Sequence, residues 1–292
     1  MSAINFQDLT PTQKADFTDR CWWEEMGVNH DNEVIQDAHW FQIVTSSTPS
    51  LMANGVMRCE VNDGSIDERI RKTIDIYRAK NLPFHWTVCP SSKPHDLGQR
   101  LLAAGMTLGA IHDGIVGDPR KIKIAEPPNV TVEPLSAKTL NDYTAMLAHS
   151  CFVEDHALKR LHHQVEHQLE SKRHWVSHFL ARLNGVPAGI CQNRYHKGYV
   201  HQLGGSVKPE SRKNGVLAAL LRRLNIDAVE KGFGIVVCHA PHPRNPRITA
   251  SSHKHNSPSA WMPIADQKSE GMMLHFGYEK TCEYEMYQWR PN

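Results

Sequence analysis

Residues 203–232, LGGSVKPESRKNGVLAALLRRLNIDAVEKG, carry the clearest chemical signal in this chain. A strand ends near Val207, and Pro209 and Glu210 turn the chain. Arg212, Lys213, Asn214 and Gly215 then lead into a helix whose apolar face is Val216, Leu217, Leu220, Leu221, Leu224 and Ile226. The first amides of a helix have no intrahelical acceptors. Together with the helix dipole they make an anion site, and a glycine lets a phosphate approach the backbone. Arg212 and Lys213 add positive charge, so the pattern suits a pyrophosphate that bears a nucleotide. Local physics equally allows a solvated, charged turn capping an ordinary crossover helix. It is neither a Walker loop nor a dinucleotide fingerprint, since neither GKS/GKT nor GxGxxG is present.

Histidine and cysteine are the other residues with chemical potential. The chain holds 19 histidines, clustered at His156, His162, His163, His167, His174 and His178, and again at His239, His242, His253 and His255. His163 and His167 share one helical face at metal-binding spacing. Their neighbours Lys159, Arg160, Glu166 and Glu170 read instead as a solvated helix, HExxH is absent, and no metal is expected. The seven cysteines are dispersed without a CxxC pair. They read as reduced, mostly buried thiols in a cytoplasmic protein. Trp22 and Trp23 read as anchors of core or interdomain contacts.

The elements that position these residues follow from periodicity. The chain has 292 residues, with 40% hydrophobic and 22% charged, enough for two globular domains. Its formal charge of +2 shows no basic footprint for nucleic acid. The N-terminus has no apolar core of a secretory signal, and no run approaches the roughly 20 residues of a membrane span. In the first part, TPTQKADFTDRCWWEEM reads as a helix, with Thr10 as the cap candidate before Pro11, and HWFQIVTS as a buried strand. SIDERIRKTIDIYRAKN reads as a helix capped by Ser65 with Glu68 three residues on, LPFHWTVCP as a strand, and TLGAIHDGIVG as another strand. DPRKIKIAEPPNVTVEP, with Pro127-Pro128, marks a stiff junction. Beyond it come a helix over 139–152, a helical stretch over 156–179, and three strands joined at Asn184-Gly185 and Lys197-Gly198. The 215–230 helix, the strand GIVVCHA, a short helix and a final strand complete the order. The expected fold class is α/β with a mixed sheet. The expected domains are 1–126 and 130–292, with a polar insertion at 240–270.

VKPESRKNGVLAALLRRLNIDAVEKG resembles the CoA-binding signature of the GNAT superfamily of N-acetyltransferases, which runs Arg or Gln, two residues, Gly, one residue, Gly or Ala. Arg212 and Gly215 match the first and fourth positions, and Leu217 takes the sixth, where a small residue is usual. GIVVCHA is similar to the family's fifth strand, LHFGYEK to its closing element, and LNGVPAG to its early hairpin. SLMANGVMRCEV and residues 81–106 resemble the degenerate half of tandem members, and no RxxGxG occurs before residue 130.

The resemblance implies two tandem copies of the acyl-CoA N-acyltransferase fold. It implies acetyl-CoA or another acyl-CoA as co-substrate, held by Arg212, Lys213, Asn214, Gly215, Val216 and Leu217. Amides near Ser206 and Val207 would stabilise the oxyanion, and His201 or His239 would serve as general base. The acceptor implied is a primary amine of a small molecule, amino acid or peptide. The family's acid position falls on Met273, which cannot donate a proton, and Tyr278 reads as a packing residue. Two alternatives stay open: a carrier-protein or aminoacyl-tRNA donor or another reaction on this fold, and a non-catalytic ligand-binding or sensing protein.

Overall fold

The structure is a computed structural model that describes residues 5–24, 32–51, 53–61, 64–151, 155–170, 175–244 and 269–291. The chain divides into two compact units. One comprises Met1–Thr10, Ile115–His239 and Asn256–Lys280 and is called the loop unit below; the second comprises Pro11–Gly114, Ala240–His255 and Thr281–Asn292. The division is therefore not two contiguous blocks meeting between residues 126 and 130.

In the second unit, α1 (Pro11–Arg20) precedes β1 (Asn32–Asp37), β2 (Trp40–Thr45) and β3 (Gly55–Cys59). Then come α2 (Ile66–Ala79), β4 (Phe84–Val88), α3 (Leu97–Ala103), β5 (Thr107–Gly117) and the last strand of the chain, β11 (Glu279–Trp289). The strand order is β1-β2-β3-β4-β11-β5. β11 runs antiparallel to β4, with Glu285 opposite Val88 and Trp289 opposite Phe84. The C-terminal strand, expected to close the second half of the sequence, thus completes the sheet of the first half. α2 buries Ile66, Ile70, Ile74 and Tyr77 as its spacing requires. Tyr77 stacks on Phe84 at 4.1 Å between centroids and donates to the Ile43 carbonyl at 2.7 Å. Ser65 does precede this helix, but its side chain makes no capping hydrogen bond.

In the loop unit the order is β6 (Val130–Pro134), α4 (Leu140–Cys151), α5 (Asp155–Glu170), β7 (Val176–Leu183), β8 (Val186–His196) and β9 (Tyr199–Val207). α6 (Val216–Glu230), β10 (Val236–Pro241) and α7 (Ser269–His275) follow. The strand order is β10-β9-β8-β7-β6, antiparallel except for the β9–β10 pair. The turn between β7 and β8 is the expected Asn-Gly pair, with φ of 51° at Asn184 and 83° at Gly185. The helical stretch expected over 156–179 stops at Glu170, and β7 begins at Val176. A further strand, β6, lies within the proline-rich junction and pairs with β7. Leu140, Tyr143 and Met146 of α4 meet Val165 of α5 and Leu180 and Ile190 of the sheet in one core. α6 buries Val216, Leu220, Leu221, Leu224 and Ala228, and that packing is what fixes the loop in front of it.

Candidate active site

The site is built where β9 and β10 part. The two strands pair in parallel at Val200–Val236 and His201–Val237 and, among the described residues, at no later position. β9 continues to Val207 and β10 past His239, which leaves a wedge between them. β9 also carries a bulge. Ile190 of β8 faces Ser206 and Gln192 faces Leu203, so Gly204 and Gly205 together stand opposite the single residue Cys191. A glycine pair inside a strand is the sequence signal for such a bulge. Lys208 donates its N–H to the Ala188 carbonyl of β8 at 2.9 Å. Backbone groups alternate direction along an antiparallel strand. The Ser206 N–H therefore points to β8, whereas the Val207 N–H points away, to the side of the wedge. Of the two amides expected to serve, geometry turns Val207 toward the wedge and Ser206 into the ladder.

After Val207 a single 3-10 turn, Pro209–Ser211, reverses the chain. Lys213 and Gly215 both adopt left-handed conformations, with φ of 65° and 79°. Asn214 donates its side-chain amide to the Arg212 carbonyl at 3.0 Å, which braces the turn. Gly215 is the N-cap of α6, and no side chain caps the helix. The amides at Val216 and Leu217 are therefore not consumed by a capping side chain. Arg212 is half-buried, Lys213 and Asn214 are exposed, and among the described residues Arg212 and Lys213 form no ion pair. By contrast, Arg222 pairs with Glu126 at 3.4 Å and Arg223 with Glu230 at 3.1 Å. Two apolar contacts that spacing did not foretell complete the loop. A side-chain carbon placed on Gly215 would lie 2.5 Å from Pro127 Cβ, and one placed on Gly205 would lie 3.2 Å from Leu217 Cδ1. The leucine thus reaches inward to the bulge.

His201 and His239 are brought together. Both project from the same face at the start of the wedge, with ring centroids 5.4 Å apart and planes at 80°. His201 is buried and His239 is half-buried, so His239 is the more accessible of the two. His196, stacked on Tyr199, lies 6.2 Å from His201. On the opposite face Met273 Sδ rests 4.0 Å from Cys238 Sγ. Burial pushes the Cys238 thiol well above its ordinary pKa, so it is not a ready nucleophile. Tyr278 is buried, donates to Gln202 Oε1 at 3.0 Å and accepts from Asn225 Nδ2 at 2.8 Å. Burial also raises its phenol pKa.

The histidine clusters resolve into separate roles. His178 is a core residue between the Tyr143 hydroxyl at 2.9 Å and Gln168 Oε1 at 2.9 Å. Burial lowers its pKa to about 4, with help from Arg194. His163 pairs with Glu166 at 3.3 Å, and His162 contacts Thr144 at 3.3 Å. His156 lies in the first turn of α5, and His174, His253 and His255 lie outside the described residues. In the second unit Asp113, His242 and Glu283 place potential ligand atoms within 4.8 Å of one another. The Arg244 N–H, however, donates to His242 Nδ1 at 2.9 Å. A neutral ring that accepts there carries its proton on Nε2. That nitrogen faces Glu283 at 3.2 Å as a donor, and Arg244 holds the other carboxylate oxygen at 2.6 Å. The ring is oriented as a donor, not as a metal ligand.

The second unit contains the same motif in closed form. β3 and β4 pair in parallel at Gly55–His85 and Val56–Trp86. Beyond that point the gap is bridged: the Lys93 N–H donates to the Cys59 carbonyl at 2.8 Å, and the backbones of Glu60 and Lys93 form an isolated parallel β-bridge. The His85 ring fills the space beside Gly55.

A protein described as a GCN5-related N-acetyltransferase from Kribbella flavida superposes over 99% of this chain and 97% of its own, with TM-score 0.64 and 12% identity. The chain has the GNAT fold. A tandem GNAT protein from the clavulanic acid biosynthesis pathway matches over 94% of this chain and 87% of its own, with TM-score 0.59 and 12% identity. A GCN5-related N-acetyltransferase from Sphaerobacter thermophilus matches over 97% and 95%, with TM-score 0.58 and 10% identity. No protein-family model and no curated protein sequence matches the chain. The GNAT resemblance seen around Arg212 and Gly215 therefore stands at the level of fold.

Proposed function

We propose that the chain transfers an acyl group, most simply acetyl, from acyl-CoA to a primary amine of a small molecule, amino acid or peptide by direct attack in a ternary complex. The observation that carries this reading is the alignment of an uncapped, left-handed turn bearing Arg212 and Lys213 with a splayed β9–β10 wedge that receives the Val207 N–H. The donor set fits a pyrophosphate at one end and a thioester carbonyl at the other. Arg222 and Arg223, around which a carrier-protein or tRNA donor would need a basic docking face, are paired with Glu126 and Glu230, which weakens that alternative.

The co-substrate supplies an activated carbonyl carbon and a thiolate leaving group. The amides at Val216 and Leu217, with Arg212 and Lys213, bind its diphosphate. The Val207 N–H donates to the carbonyl oxygen and holds the charge that develops there when the amine attacks. His239, the more accessible imidazole, takes the proton lost by the amine, and His201 packs behind it and orients the ring. That proton then passes to the departing sulfur, because Met273 offers none. An amide and a free thiol result.

Met273 against Cys238, and the bridged wedge of the second unit, favour a second reading: a protein that binds the same ligand without turnover. The two separate in one assay. Acetyl-CoA at about 100 times its Kd should stabilise the protein by about 2.7 kcal/mol, and Arg212→Ala should remove most of that shift. Thiol release with an amine panel then supports transfer, and binding without release supports the second reading. No stabilisation by any CoA thioester overturns both.

A further inference from the structure

Leu217 stands where a small residue would leave most room for phosphate, and the structure shows where its side chain goes. Side chains near the start of a helix lean back over the preceding turn. Leu217 does so, and its Cδ1 lies 3.2 Å from the position a side-chain carbon would take on Gly205. Gly189 on the adjacent strand makes a matching contact. A carbon added there would lie 2.9 Å from both the Ser206 carbonyl oxygen and Val216 Cγ1, and 3.1 Å from Leu220 Cδ1. Two glycines on neighbouring strands thus let the first turns of α6 settle onto the sheet, and Leu217 is the side chain seated over the bulge. Gly205 is two residues before Val207, whose N–H faces the wedge.

We propose that Leu217 is a positioning residue for the ligand of this site. By locking the anion loop to the β9 bulge, it holds the loop amides and the Val207 N–H at one separation. The site thereby selects ligands in which a diphosphate and a thioester carbonyl are spaced to match. The inference rests on the acyl-CoA reading and deepens it: the leucine is a spacer that makes the site sensitive to the whole acyl-pantetheine arm, not an obstruction to phosphate.

The test is calorimetric binding of two ligands, acetyl-CoA and 3′-phosphoadenosine 5′-diphosphate, to the wild-type chain, Leu217→Ala, Leu217→Met and Gly205→Ala, with circular dichroism to confirm folding. Leu217→Ala should weaken acetyl-CoA about tenfold and leave the nucleotide within about twofold, while Leu217→Met stays close to wild type. Gly205→Ala should also weaken acetyl-CoA selectively, since its methyl pushes against Leu217, and the Gly205→Ala/Leu217→Ala double variant should do no worse than either single one. Equal losses for both ligands, or unchanged or tighter acetyl-CoA binding by Leu217→Ala, overturn the proposal while the acyl-CoA reading stands. A wild-type chain that binds neither ligand overturns the acyl-CoA reading itself, and the proposal with it.

Discussion

Gly215→Ala is the sharpest test of the loop geometry, because two separate costs fall on one methyl group. Gly215 has φ of 79°, a region that costs an L-residue about 1–2 kcal/mol. The added carbon would also stand 2.5 Å from Pro127 Cβ and 2.9 Å from Pro127 Cγ. Pro127 belongs to a diproline and has no flexible side chain to swing aside, so overpacking of about 1–3 kcal/mol is expected. The total is roughly 2–5 kcal/mol. Gly185→Ala provides the control: its φ is 83°, but nothing lies within 4 Å of the new carbon, so only the backbone cost applies. Pro127→Gly removes both offending atoms. Urea unfolding of the four combinations forms a double-mutant cycle, and the coupling between positions 215 and 127 should be favourable by roughly 1–3 kcal/mol. The acyl-CoA affinity of Gly215→Ala should fall as the turn shifts, and the double variant should recover part of it. A Gly215→Ala cost no larger than that of Gly185→Ala, or a coupling of zero, refutes the packing of the junction against the loop.

Two further perturbations test roles assigned above. His85 and His178 are buried, and both have pKa values lowered from 6.5 to about 4, chiefly by desolvation. Both are neutral in the folded chain, so the unfolded state takes up more protons between these values, and stability falls as pH drops from about 6.5 to 4 by about 3 kcal/mol per histidine. Urea midpoints measured across that range should show the loss, and His178→Gln should flatten part of it; a midpoint independent of pH would count against the buried, neutral assignment. Tyr278→Phe removes a buried hydroxyl that links Gln202 and Asn225. It should cost about 1–2 kcal/mol in stability and leave turnover within about twofold, whereas a loss of about a hundredfold would make Tyr278 the acid for the departing thiol.

The parts of the fold legible in the sequence are those governed by local rules. The α2 face, the Asn184-Gly185 hairpin and the apolar run of β10 each follow from spacing or turn chemistry within a few residues. β1 was not legible because NEVIQD is half-buried to exposed throughout and offers no apolar stripe. β6 was hidden among prolines: it ends on Pro134 and lies at the edge of its sheet, beside β7 alone, where a missing N–H is tolerated. The destination of β11 was not legible either, since an alternating strand names no partner; its register with β4 joins residues about two hundred positions apart. The site divides the same way. Arg212, Gly215 and the helix after them show locally the pattern of a candidate anion loop. What the loop is for depends on contacts between distant residues: where β9 parts from β10, how Pro127 and Leu217 sit against two glycines, and how His201 meets His239. The same reasoning explains why a leucine at position 217 is ambiguous in sequence and less so in structure. Its effect on a ligand depends on the direction of one side chain, and the vacancy that receives it lies in the bulge at Gly205, on a different element. A substitution that fills that vacancy should therefore disturb the site as much as one that removes the leucine.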